Sequence, residues 1–336
     1  MDDGHTESSE LRETKKEYED FTDLIGGFEK WQKILVSILA TFSFTSAMNN
    51  MNWPFLAPRI DYWCARPSKY LNLSVDEWKN ISAPIEIRKS RAVHSQCQIY
   101  DLDAENGNLS TNSCTSWEYD HSVFKSSIVE KWNLVCDNYW MTSFAGSSYF
   151  MGIFVAALIF GQLSDRHGRR PVIIIGIIIH MIFGLLCTFS PFYWMFTVCR
   201  FCIALGKTAY IQSYVVYVKG NLYSVLEVVG QNQREKVLVI NSLFYTTGVL
   251  TLVGISWLLK DWFYIQLYCS VSPFILLLLT RFIPESPRWL LTHGKLDEAE
   301  KVIKEIMKKN KMRATGLTEI IAGLHSKIKM ASLFSG

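Results

Sequence analysis

The chain has 336 residues, and its 34 lysines and arginines nearly balance 31 aspartates and glutamates, giving a formal net charge of +3. Only 19% of the residues are charged, against about 25% in an average globular protein. This composition excludes a disordered or collagen-like chain and a disulfide-dense miniprotein. The small net charge gives no electrostatic basis for nucleic-acid binding.

Six stretches are long and apolar enough to cross a bilayer as helices, which requires about 20 residues each. The stretch 192–218 is interrupted by Arg200 and Lys207, whereas the other five contain no Asp, Glu, Lys or Arg: 34–58, 138–164, 171–191, 237–259 and 262–280. The sequence therefore predicts an all-α integral membrane protein with helix 1 over 34–58 and helices 2 to 6 within 138–283. Segment 1–33 lacks the apolar core of a signal peptide, so no cleavable signal is expected.

Segment 59–137 is the longest connection between predicted spans, and it is rich in cysteines and glycosylation sequons. The sequons start at Asn72, Asn80 and Asn108, and the cysteines are Cys64, Cys97, Cys114 and Cys136. Together they indicate a glycosylated, disulfide-bearing extracellular loop, with three possible cysteine pairings left open. Free thiols in a cytosolic loop are the alternative.

The short connection 165–170 carries three arginines, and short basic loops remain in the cytoplasm. Six spans then place both terminal segments, 1–33 and 284–336, in the cytoplasm, and the links 190–191 and 260–261 outside. In the C-terminal segment, residues 295–311 space apolar side chains at helical intervals. This pattern predicts an amphipathic helix on the cytoplasmic face.

Three polar clusters lie at predicted cytoplasmic helix ends: 161–170 (GQLSDRHGRR), 227–234 (EVVGQNQR) and 284–289 (PESPRW). Each combines a carboxylate with a guanidinium, and such groups form strong bidentate pairs. We expect them to latch helix ends in one conformation and release them in another, as a gate; simple basic anchoring is the alternative for any single cluster. The candidate gate residues are Asp165, Arg166, Gly168, Arg169, Arg170, Glu227, Arg234, Glu285 and Arg288.

These motifs resemble a known family. The 161–170 loop is similar to the signature of major facilitator superfamily transporters, and 227–234 and PESPRWLL resemble its sugar and organic-ion branches. With DYWC at 61–64 and EKWNLVCD at 130–137 framing the large loop, the chain resembles the organic cation, carnitine and organic anion transporters of the solute carrier class.

The resemblance implies a twelve-helix fold of two six-helix halves that carries substrate by alternating access. On this interpretation the chain is the N-terminal half, ending where a seventh helix is expected, and the C-terminal half is absent. Residues 219–225 look inserted relative to the family pattern, which would shift Glu227 relative to Asp165.

Helix 4 carries the candidate substrate-pathway residues. Arg200 and Lys207 lie seven positions apart on one helical face, and ionisable groups within a membrane are costly and by default functional. Tyrosines continue along that face, where aromatic rings can hold a cation; packing is the alternative role. They are Tyr210, Tyr214 and Tyr217. His180, in helix 3, is interpreted as an interhelical hydrogen-bonding residue.

The leading hypothesis is a plasma-membrane transporter of small organic ions: organic cations, carnitine-like zwitterions or organic anions. Lys207 favours an anion or a zwitterion, because it repels a cation. The alternative is a non-transporting half-molecule that assembles with or regulates full-length transporters. No enzymatic activity, cofactor or metal is expected. The expected partners are a small organic ion, the lipid bilayer, and either a second copy of the chain or the missing half, with no nucleic acid.

Overall fold

The fold is a bundle of six long helices with a disulfide-linked loop at one end and short helices at the other. It is seen in a computed structural model that describes residues 29–88, 91–101, 110–219, 234–312 and 317–333. We label the long helices α1 to α6: Lys30–Met51, Tyr139–His167, Arg169–Thr188, Tyr193–Lys219, Arg234–Leu259 and Trp262–Phe282. Three short helices follow as α7 to α9: Pro287–Thr292, Leu296–Lys309 and Leu317–Leu333.

Within the described ranges, five of the long helices are long and apolar enough to span a membrane. These are α1, α2, α3, α5 and α6, in agreement with the five uncharged stretches. Helix α4 is 27 residues long, but Arg200 and Lys207 make it less apolar. The six-helix arrangement expected from the sequence is therefore present. Length and composition identify five of the helices as possible membrane spans but do not identify α4.

Helix α1 begins before and ends earlier than the predicted stretch 34–58. It starts at Lys30 because Glu29 and Gln32 form a reciprocal capping box, in which the backbone N–H of Glu29 donates to Gln32 Oε1 at 3.2 Å. It ends at Met51, and a separate short helix, Trp53–Leu56, contains Pro54 at its start. Proline is tolerated in a first helical turn but not in a helix interior.

Helices α3 and α4 pack closely where two glycines face each other. A Cβ atom on Gly206 would lie 2.6 Å from the backbone oxygen of Gly176, and one on Gly176 would lie 2.7 Å from that of Gly206. Small residues at helix crossings allow the close backbone approach on which helix association in a membrane depends. This contact fixes the height of Lys207, the residue after Gly206, relative to the other helices.

The connection between α1 and α2 contains short antiparallel strands that the sequence pattern does not predict. Strand β1 (Tyr62–Cys64) pairs with β6 (Trp117–Tyr119). Likewise β2 (Ile85–Arg88) pairs with β3 (Arg91–His94), and β4 (Gln98–Tyr100) with β5 (Thr111–Ser113). Disulfide Cys64–Cys114 links β1 to the residue after β5, and Cys97–Cys136 links the residue before β4 to the turn before α2. This is one of the three pairings that the sequence leaves open.

This connection is anchored to one end of the bundle, which we call the loop end. Lys131 Nζ donates to the backbone oxygen of Ser190 at 2.8 Å and lies 4.8 and 4.6 Å from the ring centroids of Trp132 and Trp262. Burial lowers the pKa of Lys131. The backbone N–H of Lys125 donates to the oxygen of Lys260 at 2.7 Å. The links 190–191 and 260–261 thus share one end with the large loop, as predicted.

The opposite end, which we call the tail end, carries α7 to α9. Helix α8 buries Ala299, Ile303, Ile306 and Met307, which lie on the apolar face predicted for 295–311. Its last turn contacts the start of α1, where Asn310 Nδ2 donates to Gln32 Oε1 at 2.9 Å. The amphipathic helix therefore packs on the bundle instead of extending away from it.

Candidate functional site

Two cationic side chains lie in the interior of the bundle. Arg200 and Lys207 of α4 are 3% and 4% exposed. An ionised group in an apolar interior is stable only with compensating partners. The contacts of these two residues therefore define the candidate substrate site.

Lys207 is held by polar groups of two other helices. Its Nζ donates to Asn50 Oδ1 of α1 and, at 3.3 Å, to Tyr149 Oη of α2. The Tyr149 hydroxyl in turn donates to Asn50 Oδ1 at 3.2 Å. These three side chains form a closed hydrogen-bonded triangle that connects α1, α2 and α4.

Arg200 lies two turns away, between aromatic rings. Its guanidinium carbon is 4.7 Å from the Trp53 ring centroid and 4.9 Å from that of Tyr149. Cation–π contacts of desolvated groups contribute about 2 kcal/mol, which offsets part of the cost of burial. Tyr149 therefore serves both cations, through its ring for Arg200 and through its hydroxyl for Lys207.

No carboxylate of the described residues pairs with either cation. Asn50 and Tyr149 are neutral, so they solvate the positive charge of Lys207 without cancelling it. Two uncancelled positive charges in an apolar interior make the site attractive to an anionic group. Electrostatically, the site is suited to a carboxylate-bearing ligand.

A cavity of about 950 Å³ opens beside this site at the loop end. Trp53, whose ring faces Arg200, also lines the cavity, together with Arg59, Gln96 and Tyr139. Cys97 and Cys136, which are joined by a disulfide, also line it. Arg200 and Lys207 do not line the cavity, and Trp53 is the lining residue that contacts Arg200.

Tyr210, predicted to line the pathway, is fully buried among packed side chains. Its ring meets that of Phe42 edge-on at 5.8 Å, and its hydroxyl lies 3.4 Å from His180 Nδ1. The interhelical hydrogen bond expected of His180 is therefore confirmed. Tyr214 and Tyr217 lie on the helical backbone of α4, but their side chains are outside the described part of the chain.

At the tail end, the 161–170 cluster contains one carboxylate–guanidinium pair. Arg169 Nη1 contacts Asp165 Oδ1 at 2.6 Å and donates to Ser164 Oγ at 3.0 Å. Arg169 is buried and Asp165 is exposed. The backbone oxygen of Asp165 accepts from Trp289 Nε1 of α7 at 2.7 Å. The α2–α3 connection is thereby attached to the third cluster.

Glu285 contacts this connection differently from the expected guanidinium pairing. Its carboxylate accepts hydrogen bonds from the backbone N–H groups of Arg169, at 2.9 Å, and Arg170, at 3.3 Å. It therefore caps the N-terminus of α3, where the helix dipole favours a negative charge. Gly168 makes room for it, because a Cβ there would lie 2.8 Å from Glu285 Oε2.

The remaining gate candidates are placed as follows. Arg166 is exposed, Arg170 is half-buried, and Arg288 is in the first turn of α7. Arg234 is the first residue of α5, with its side chain outside the described part, and Glu227 lies wholly outside the described residues. The structure therefore brings the first and third clusters together, and the second stays a prediction.

Asn72 and Asn80, which begin two of the sequons, are both exposed on the loop. Asn72 precedes the helix Val75–Ser82, and Asn80 lies within its last turn. Asn108 is outside the described residues. Exposure makes the first two accessible for modification, which stays a prediction.

Sequence reasoning did not identify Tyr149 or Trp53 as site residues. A tyrosine in an apolar run and a tryptophan after a span give no signal of their own. Asn50 gave a partial signal, because the cluster of Asn49, Asn50 and Asn52 at the end of an apolar stretch is unusual in a membrane helix.

Comparison with known proteins identifies the family and the fold of the chain. Residues 97–336 match the family described as sugar (and other) transporter. The chain belongs to this family. Its fold is the six-helix half of a major facilitator superfamily fold: the proton:xylose symporter XylE bound to 6-bromo-6-deoxy-D-glucose superimposes with a TM-score of 0.55 at 16% identity, covering 90% of this chain and 54% of that one. A second structure, of XylE from E. coli in a partially occluded inward-open conformation, superimposes with a TM-score of 0.51.

Curated relatives in the family are transporters of organic ions. The organic cation transporter protein of Drosophila melanogaster is 30% identical over 310 residues, covering 88% of this chain and 53% of the relative. Organic cation/carnitine transporter 2 of Mus musculus is 31% identical, covering 88% and 54%. The carcinine transporter of Drosophila melanogaster is 32% identical, covering 92% and 49%. The chain spans about half the length of these relatives.

Proposed function

We propose that the chain contributes the N-terminal half of the substrate pathway in a plasma-membrane transporter of small organic ions that works by alternating access. Family membership and the organic-ion relatives support the transport class. The loop end is then extracellular and the tail end cytoplasmic, consistent with the disulfides of the loop and the arginines of 165–170.

The observation that carries the substrate proposal is Lys207, buried with only neutral partners. A carboxylate would cancel its charge, and the cavity at the loop end adjoins the site at Trp53, whose ring contacts Arg200. We therefore propose an organic anion or a carnitine-like zwitterion in preference to a simple organic cation.

At the tail end, the Asp165–Arg169 pair and the Glu285 cap of α3 form the proposed gate. The Asp165–Arg169 pair holds the short α2–α3 connection together, and the Glu285 contact joins this connection to the segment before α7, from which it can separate. Opening would break the hydrogen bonds of Glu285 to the α3 amides, and closing would restore them. Breakable polar contacts of this kind suit a two-state element.

Ligand binding can be measured directly on the purified chain in detergent. Carnitine and benzoate should raise its midpoint of thermal denaturation, and tetraethylammonium should not, because binding to the folded state stabilises it. Lys207→Gln should abolish the shift, whereas Lys301→Gln, on the exposed surface of α8, should retain it. A larger shift with tetraethylammonium than with carnitine or benzoate would contradict the anion-site assignment.

Transport itself is tested by uptake of the same three compounds, radiolabelled, in cells that express the chain, with surface biotinylation as the expression control. We expect saturable uptake of carnitine or benzoate. Asp165→Asn should reduce uptake at unchanged surface expression, since it weakens the gate and leaves the substrate site intact. Surface expression without saturable uptake of any compound would contradict transport by this chain alone, and the absence of any denaturation shift with carnitine or benzoate would contradict its contribution to the substrate site.

A further inference from the structure

A cleft of about 360 Å³ at the tail end combines apolar walls with basic side chains. It lies between the first turns of α1, the end of α6 and α8. Its apolar walls come from α1, from the end of α6 with the residue that follows it, and from α8: Trp31, Ile34, Leu35, Ile38, Phe282, Ile283, Val302 and Ile306. Its charged side chains are Arg170, Arg281, Lys309 and Glu305.

The charges of the cleft do not cancel. Three basic side chains face one carboxylate, and Glu305 is already engaged by Lys309, with 2.8 Å between Oε1 and Nζ. Neither Arg170 nor Arg281 forms an ion pair within the described ranges. The Nε atom of Arg170 is buried and has no hydrogen-bond partner there. A buried donor of this kind favours a bound acceptor, and the uncancelled positive charge of the cleft favours an anionic one.

The position of the cleft identifies the kind of anion. Helix α1 begins at Lys30 and α6 ends at Phe282, so the cleft lies where two spans leave the apolar layer of the membrane. Ile34 and Phe282 remain 52% and 68% exposed at its edge. A ligand that fits must be anionic at one end and apolar at the other. Basic pockets at the cytoplasmic end of membrane helices have this complementarity with phospholipid head groups.

We propose that this cleft binds an anionic glycerophospholipid. Arg170 and Arg281 hold its phosphate, Lys309 adds positive charge beside the head group, and an acyl chain covers Ile34 and Phe282. Free phosphate would satisfy the cations and leave these apolar side chains uncovered. The lipid thereby joins α1, α3, α6 and α8 at the end of the bundle opposite the disulfide-linked loop.

The test uses the purified full chain in a neutral detergent and native mass spectrometry to measure binding. The probes are dioctanoyl phosphatidylglycerol, dioctanoyl phosphatidylcholine and inorganic phosphate. Each basic residue near a lipid surface contributes roughly fivefold to affinity. We therefore expect the double variant Arg281→Gln/Lys309→Gln to bind phosphatidylglycerol about 20-fold more weakly. Wild-type chain should prefer phosphatidylglycerol to phosphatidylcholine.

Two further variants separate the sources of binding. Lys308→Gln removes an exposed charge from the neighbouring position of α8, outside the cleft, and should leave affinity unchanged. Ile34→Ser should weaken binding of the lipid without affecting inorganic phosphate. The proposal is overturned if Lys308→Gln weakens binding as much as the double variant, if phosphatidylcholine binds equally well, or if inorganic phosphate displaces the lipid at equal concentration.

Discussion

The carboxylate of Glu285 lies 2.9 Å from the backbone nitrogen of Arg169, 116 residues earlier in the chain. The N-terminus of α3 is thus capped by a side chain from the segment that follows α6. The contact couples the start of α3 to the position of α7, because Glu285 and Trp289 both hold the α2–α3 connection.

Glu285→Ala should destabilise the chain by about 1–2 kcal/mol, the usual cost of losing an N-cap together with a charge at a helix dipole. Glu285→Gln should cost less, because the amide oxygen still accepts a hydrogen bond. Hydrogen exchange at the amides of Arg169 and Arg170 reports the loss locally. Glu298→Gln, an exposed carboxylate of α8, is the control. Unchanged exchange in Glu285→Ala would contradict the cap.

Gly168→Ala should destabilise the chain by about 3 kcal/mol, through backbone strain and a clash with Glu285. Its φ angle is +99°, and the added Cβ would lie 2.8 Å from a carboxylate oxygen. Gly294 has φ +71° with open space around it, so Gly294→Ala isolates the strain, at about 1 kcal/mol. Gly254, helical and unobstructed, should tolerate alanine. The midpoint of thermal denaturation should be lowest for Gly168→Ala, higher for Gly294→Ala and highest for Gly254→Ala. Equal midpoints for Gly168→Ala and Gly294→Ala would exclude the clash.

Tyr149→Phe should cost about 1 kcal/mol, because it removes the hydroxyl that bonds Asn50 and Lys207 and keeps the ring beside Arg200. Tyr149→Leu should cost about 1–2 kcal/mol more, since the cation–π contact is also lost. Tyr139→Phe, at an exposed tyrosine of the same helix, is the matched control. Thermal denaturation in detergent measures all three. Similar losses for Tyr149→Phe and Tyr149→Leu would mean that the ring contributes little.

Peptide mapping without reduction should recover Cys64 linked to Cys114 and Cys97 linked to Cys136. Cys64→Ser should destabilise the chain by about 2–4 kcal/mol. The double variant Cys64→Ser/Cys114→Ser should cost no more, because both substitutions remove one bond. Cys199 and Cys202 should be recovered as free thiols. A Cys64–Cys97 or Cys64–Cys136 peptide would contradict the assigned pairing.

Asn72→Gln and Ser74→Ala both remove the first sequon, but they differ in structural effect. Ser74 is the N-cap of the helix Val75–Ser82 and accepts from the backbone N–H of Glu77 at 3.3 Å. Losing a serine N-cap costs about 1 kcal/mol. Both variants should lose one glycan on a gel, whereas only Ser74→Ala should speed hydrogen exchange in this helix.

The difference in hydrogen-exchange rate between Ser74→Ala and Asn72→Gln should depend on pH. Hydrogen bonds from the Ser74 side chain and backbone lower the pKa of Glu77 below 4.5. A lowered pKa in the folded loop means that the stabilisation is present above the unfolded value and is lost as the pH falls through the folded one. The exchange difference between Ser74→Ala and Asn72→Gln should therefore narrow in acid. A difference that grows as the pH falls would contradict the assignment.

Much of the fold could be predicted because charge is excluded from membrane spans. The absence of charged residues located four helices to within three residues at each end. The largest displacement is at α1, where Glu29 caps the start and Pro54 begins a separate short helix. The loop strands were not predicted, since strands of three or four residues are too short to show alternation.

The candidate site was predicted only on one helix. Arg200 and Lys207 are conspicuous as charges in an apolar helix, but the partners of Lys207 lie 157 and 58 residues away in the chain. No local pattern specifies such contacts. The PESPR segment was expected at the same end of the bundle as the α2–α3 connection, but its carboxylate binds backbone amides, which carry no residue-specific signal.

The two loop disulfides interleave, because Cys97 lies between Cys64 and Cys114, and Cys114 lies between Cys97 and Cys136. A protease that cuts once anywhere between Cys64 and Cys136 therefore leaves two fragments joined by at least one sulfur bridge. Nicked chain would run with intact chain on a gel until a reducing agent is added. The loop can thus lose backbone continuity while α1 and α2 stay covalently connected.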